Sequence, residues 1–189
     1  PFAARVSAKL REKHPNLSIE IYSESTRAIA RRLNDFSLDA GILYFDDGDP
    51  ETTEKLYEER YVFIAPNSLT ILKEKQITWE EVAQFPLCLL TQNMRNRQLI
   101  DQQFLELGIS PKIVTEASDF TGVLAQVALG NAATIAPVSV AETFLDLKST
   151  VHLDLIHPVM IHSVGLSIKD QSPVLPIIKA LRQAVKAAL

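Results

Sequence analysis

The chain has 189 residues, a formal net charge of -4 and 47% apolar residues. That length suits one large domain or two small lobes, and the apolar share supports a packed core and excludes wholesale disorder. The acidic balance excludes nucleic-acid binding through the overall field, and no dense Lys/Arg run supplies a local basic footprint.

Phe2 to Lys13 reads as a helix with Phe2, Val6 and Leu10 on one stripe, closed by His14-Pro15-Asn16. Leu17 to Tyr22 alternates as a strand. Ser25-Thr26 opens a second helix carrying Ile29, Leu33 and Phe36, its hydroxyls suited to an N-cap. Leu38 to Tyr44 reads as a buried strand, and Asp46-Asp47-Gly48-Asp49-Pro50 as a solvated turn. Leu56 to Ala65 is a long extended stretch closed by Pro66-Asn67, and Trp79 to Val82 a short helix. The apolar run Pro86 to Leu90 stops at Thr91, where Gln92, Asn93, Arg95, Asn96 and Arg97 form a polar patch. A helix then begins, with Leu99, Ile100, Phe104 and Leu107 on one face. Lys112 to Thr115 is a strand, Asp119 caps a helix through Leu129-Gly130, and Ala132 to Ala136 is a strand meeting Pro137. Val138 to Leu147 is helical, Val151 to Leu155 and Ile161 to Ile168 are extended, and Pro173 to Leu189 is a helix with Leu175, Ile178, Leu181 and Val185 inward. This alternation argues for α/β architecture with mostly parallel sheets.

Enzymatic signatures are absent. His14, His152, His157 and His162 lack the H-E-x-x-H spacing of a zinc hydrolase, and no G-x-S-x-G elbow occurs. Gly130 is alone in its segment, so no phosphate loop forms there. The single cysteine, Cys88, sits in an apolar strand pattern and reads as a small core residue; an internal disulfide or cysteine-based metal site is excluded within these residues. We expect no metal and no cofactor. No apolar run reaches the roughly 18 residues of a membrane span.

Three segments together resemble the effector-binding domain of LysR-type transcriptional regulators: His14-Pro15 with Ile19 and Ile21, then Ser25, Ile29 and Leu33, then Leu38-Asp39-Ala40-Gly41-Ile42. Leu56-Tyr57 through Tyr61-Val62 to Ile64-Ala65-Pro66 resembles the family's first crossover between lobes. Gly130 to Pro137 resembles a Gly-x-Gly-Ile-x-x-x-Pro segment, with Ala132 where a second glycine is common. The resemblance covers nearly the whole chain and rests on the order of many weak motifs. It implies a two-lobed fold similar to type 2 periplasmic binding proteins, each lobe a mostly parallel sheet flanked by helices, with two crossovers. Lobe I would span residues 1–64 and 162–189, and lobe II residues 65–161. It implies a small-molecule effector in a cleft between lobes, a homodimer or homotetramer, a cytoplasmic location, no membrane, and promoter DNA bound through a winged helix-turn-helix domain absent from these residues. The family's first strand of lobe I would precede Phe2, beside Leu17 to Tyr22 and Leu38 to Tyr44. An extracytoplasmic solute-binding protein of a transporter shares this fold and is the alternative.

In open α/β sheets, ligands bind beyond the carboxyl ends of strands, where helix N-termini favour anions. Thr91, Gln92, Asn93 and Met94 occupy such a junction in lobe II, and Ser25 and Thr26 the matching one in lobe I. Tyr44 ends the next strand of lobe I. The resemblance places all of them in the effector cleft. The competing roles are structural: capping for Ser25, Thr26 and Asn93, a core position for Tyr44, and a solvated helix face for Arg95 and Arg97.

Overall fold

The computed structural model describes residues 2–45, 53–68, 75–144, 149–169 and 174–189. In chain order the elements are α1 (Phe2–Lys13), α2 (Thr26–Asn34), β1 (Gly41–Phe45), β2 (Thr53–Pro66), β3 (Gln76–Thr78), α3 (Trp79–Val82), β4 (Leu87–Leu90), α4 (Arg95–Glu106), β5 (Ile113–Ala117), α5 (Phe120–Ala128), β6 (Thr134–Pro137), α6 (Val138–Phe144), β7 (Thr150–Ile156), β8 (Ile161–Ser167) and α7 (Pro176–Ala188). They form two compact units: Pro1–Glu58 with His162–Leu189, and Glu59–Ile161. The expected turn at Asp46 to Pro50 and the end of the helix at Leu147 lie outside the described residues.

The first unit is organised by α1 against α7. Phe2, Val6 and Leu10 place one apolar stripe on α1, and it packs in one cluster with Ile178, Ala184 and Val185 of α7 and with Leu166 of β8. β1 runs antiparallel to β8, with Gly41 opposite Ser167 and Tyr44 opposite Val164. α2 lies close on β1: a Cβ added at Gly41 would fall 2.8 Å from Ile29 Cγ2.

Three expectations for this unit change. Leu17 to Tyr22 is extended, and Leu17 and Ile19 pack on the core, but it forms no ladder. A strand needs a neighbour, and among the described residues none is hydrogen-bonded to this segment. Phe36 is not on the inward stripe of α2. The helix stops at Asn34, the Asp35 carboxylate accepts the Ser37 amide at 3.0 Å, and Phe36 turns to φ 60 with its side chain exposed. There the Lys169 ammonium lies 5.3 Å from its ring centre. Leu175 is exposed too, because α7 begins one residue later and Leu175 occupies its N-cap.

Among the described residues, the largest fully buried side chains lie in the second unit. Tyr61 to Ala65 of β2 is buried throughout. That stretch pairs antiparallel with β6 and β7, while β3 joins β7 in parallel. β4 and β5 form a parallel pair covered by α5. Trp79 is fully buried, donates its indole N–H to the Pro158 carbonyl at 2.9 Å, and meets the Phe104 ring edge-on at 5.0 Å. Pairing is thus mixed rather than mostly parallel. β6 and β7 return to β2 through long connections that leave their direction free, unlike a tight β-α-β crossover. β3 was not visible in the sequence, since three residues are too few to show alternation.

Candidate functional site

The apolar stretch Leu87 to Leu90 is a strand because its four side chains are all buried, between α5 on one side and neighbouring strands on its edges. Thr91 ends it by donating its amide to the Ala117 carbonyl at 3.0 Å, beyond the last pair of the β4–β5 ladder. The chain then turns: the Met94 amide bonds the Thr91 carbonyl at 3.0 Å, and the Gln98 side-chain amide donates to the Gln92 carbonyl at 3.1 Å. Gln92 and Asn93 are exposed, while Thr91 and Met94 are half-buried. Met94 packs beside Cys88, Leu90 and Val123.

α4 begins without a side-chain cap. Met94 holds the N-cap position, so Asn93 does not cap the helix. The first intrahelical bond runs from the Gln98 amide to the Met94 carbonyl at 3.1 Å. The other junctions differ. Ser25 Oγ accepts the Ala28 amide at 3.3 Å, capping α2 as expected, and Asp119 accepts the Gly122 amide at 2.9 Å to cap α5. Thr26 follows Ser25 as the first residue of α2 and is half-buried. Tyr44 is half-buried on β1.

Arg97 departs from its expected solvated face. Its side chain is 4% exposed, and it donates to Asp101 at 2.7 Å, to the Leu90 carbonyl at 2.9 Å and to Glu116. Burial works against its charge, but the bonds to Asp101 and Glu116 outweigh this and its pKa lies above the ordinary value. The guanidinium therefore ties the end of β4, the first turns of α4 and β5 together beneath the Thr91 turn. Beside it Asn96, also buried, donates to the Tyr61 hydroxyl at 3.0 Å. Sequence reasoning missed both. The Arg97–Asp101 spacing of four was a usable signal; the bonds to Glu116 and Tyr61 join distant segments and leave none.

Cys88 is fully buried and its thiol pKa is pushed up by that burial. Among the described residues no three His, Cys, Asp or Glu side chains gather as metal ligands, and no helix is long and apolar enough to cross a membrane.

These junctions belong to a fold seen elsewhere. The regulatory domain of reduced OxyR from Pseudomonas aeruginosa superposes with a TM-score of 0.82 at 18% identity, over 97% of this chain and 90% of that one. The effector-binding domain of QuiR in complex with shikimate matches with a TM-score of 0.77 at 19% identity, over 97% of this chain and 88% of that one. In sequence, a probable RuBisCO transcriptional regulator from Trieres chinensis is 26% identical over 156 residues, covering 77% of this chain and 50% of the relative. The HTH-type transcriptional regulator SsuR from Burkholderia cenocepacia is 24% identical over 128 residues, covering 67% of this chain and 42% of the relative. The chain thus spans about half the length of the curated relatives it matches, or less. The profile described as the LysR substrate binding domain matches residues 2–189. The two-unit α/β chain with its strand-to-helix junctions belongs to the LysR substrate-binding domain family.

Proposed function

We propose that this domain senses a small polar or anionic metabolite and thereby controls transcription as part of a LysR-type regulator. The observation that carries the reading is the family match across residues 2–189. Curated relatives that are named transcriptional regulators support it over a transporter's solute-binding protein. Thr91, Gln92, Asn93 and Met94 and, on the first unit, Ser25, Thr26 and Tyr44 are the proposed effector contacts. The first turn of α4 favours an anionic group, because the positive end of the helix dipole lies there and its N-cap, Met94, makes no side-chain cap bond. Ser25, already engaged as a cap, offers its remaining hydroxyl capacity, and Thr26 a second hydroxyl. Promoter binding would come from a winged helix-turn-helix domain outside these residues, in a cytoplasmic homodimer or homotetramer. No catalytic step is assigned.

The test is a thermal-shift screen of small carboxylates and polar metabolites, shikimate included because QuiR is solved with it. A ligand at about 100 times its Kd stabilises the native state by roughly 2.7 kcal/mol. The expected result is a hit whose shift is lost in Thr91→Ala and in the double variant Gln92→Ala, Asn93→Ala, with both variants folding normally. A hit that survives all three substitutions overturns the site. Turnover of the hit, followed by mass analysis, would overturn the binding role.

A further inference from the structure

Arg97 and Gln98 are neighbours at the start of α4, and both reach back to the turn that precedes it. Arg97 donates to the Leu90 carbonyl at 2.9 Å, and the exposed Gln98 side chain donates to the Gln92 carbonyl at 3.1 Å. The carbonyl between them, that of Thr91, accepts the Met94 amide at 3.0 Å. Three consecutive carbonyls are thus drawn toward the start of α4. A trans peptide holds its N–H opposite its C=O, so the amides of Thr91, Gln92 and Asn93 are directed away from that helix. The Thr91 amide meets the Ala117 carbonyl at 3.0 Å, which clamps the Leu90–Thr91 peptide from both sides. The helix start is itself held, because the buried Asn96 donates to the Tyr61 hydroxyl of β2 at 3.0 Å. Arg97 is 4% exposed and its charge is answered by Asp101 and Glu116. That arrangement suits an internal tie, not a cation open to a ligand's carboxylate.

We infer that Arg97 and Gln98 are positioning residues for the effector site: they touch no ligand, and they fix the peptide planes from Leu90 to Asn93 so that the turn is preformed. This inference rests on the effector reading of the Thr91 turn. Preformation matters because a turn ordered only on binding subtracts its ordering cost from the affinity. The two residues act on different peptides. Arg97 holds Leu90–Thr91, which Ala117 also backs, so this end belongs to the rigid framework of β4 and β5. Gln98 holds Gln92–Asn93, where both side chains are exposed and the loss of one hydrogen bond has the larger effect on order.

Backbone NMR on single variants tests it. Gln98→Met keeps the side chain's size and loses its donor. Gln102→Met is the control on the same helix, since Gln102 bonds Glu106 at 2.9 Å. Arg97→Lys keeps the charge and loses the planar fork. In the ligand-free protein the Gln92 and Asn93 amides should show order parameters of about 0.85, falling below about 0.6 in Gln98→Met and unchanged in Gln102→Met. The urea midpoint should stay the same in both, because these side chains are exposed, so a loosened turn is not a loss of overall stability. Arg97→Lys should speed exchange of the Thr91 amide by about tenfold. Shikimate is the affinity probe: its Kd should rise by about three- to tenfold in Gln98→Met. In Arg97→Lys, shikimate and its methyl ester should weaken by the same factor, since a residue that does not touch the carboxylate cannot tell them apart. A larger loss for the acid makes Arg97 a ligand contact and overturns the inference. So does a turn that stays ordered in Gln98→Met, a reading that needs neither a bound probe nor a folded Arg97→Lys. Should Thr91→Ala leave shikimate binding intact, the effector reading is what fails; should Thr91→Ala abolish it while Gln98→Met binds as tightly as before, the positioning role fails.

Discussion

Arg97 anchors the handover from β4 to α4, and its partners are spread over three elements. Arg97→Ala should cost about 2–3 kcal/mol in urea unfolding, less than the roughly 3–5 of a fully buried broken pair because Asp101 and Glu116 are about 40% exposed and screened. A loss under about 0.5 kcal/mol would show that the cluster is surface decoration. Cys88 permits a second residue-scale measurement. Its thiol is buried with a raised pKa, so reaction with a disulfide reagent requires opening of the unit. Native labelling should run at least about 10³ slower than in urea, given typical stabilities of roughly 5–15 kcal/mol. Because the folded pKa lies above the unfolded one, this thiol's contribution is fully present below the unfolded pKa and fades as pH rises from there through the folded value. Rapid native labelling at pH 8 would show that the strand opens locally. Such residue roles are poorly legible in sequence: Arg97 and Glu116 are 19 positions apart, and only folding makes them neighbours.

Elements are far more legible, wherever periodicity or capping chemistry is strong. Phe2, Val6 and Leu10 define α1. Thr78 with Glu81 forms a capping box at α3, and Asp119 marks the start of α5. Legibility fails where an element's end depends on tertiary context, as at Phe36, whose spacing suits a helix that the Asp35–Ser37 turn has already closed. In the candidate site, the Thr91 junction is legible from the switch of apolar run to helical period, whereas the N-cap role of Met94 is not, since its side chain makes no cap bond. Two substitutions check the element contacts. Ser25→Ala should destabilise by about 1 kcal/mol through the lost cap on α2, and a change near zero would show that Ser25 serves no capping role. Gly41→Ala should cost about 1–3 kcal/mol by forcing β1 and α2 apart at Ile29, read as a lower urea midpoint. An unchanged midpoint would mean that Ile29 moves aside freely.

At the scale of the whole molecule, the two units differ in what they bury. The second unit contains the only tryptophan, fully buried, while in the first the extended segment Leu17–Tyr22 joins no strand ladder among the described residues. In urea, far-UV circular dichroism should begin to fall before Trp79 fluorescence changes, because α1, α2 and α7 belong to the first unit. Coincident transitions would show that the two units unfold as one. The chain's route adds an issue of timing. The second unit is continuous in sequence, whereas α1 finds its partner α7 only near the other end. On a ribosome adding 5–20 residues per second, roughly a hundred residues separate the two parts of the first unit, a delay of about 5–20 s. For that interval the apolar face of α1 is made but unmatched, while the second unit is already free to fold. Chaperone demand during synthesis should therefore concentrate on α1 and the rest of Pro1–Glu58, and slowing translation between Glu59 and Ile161 should lengthen their exposure.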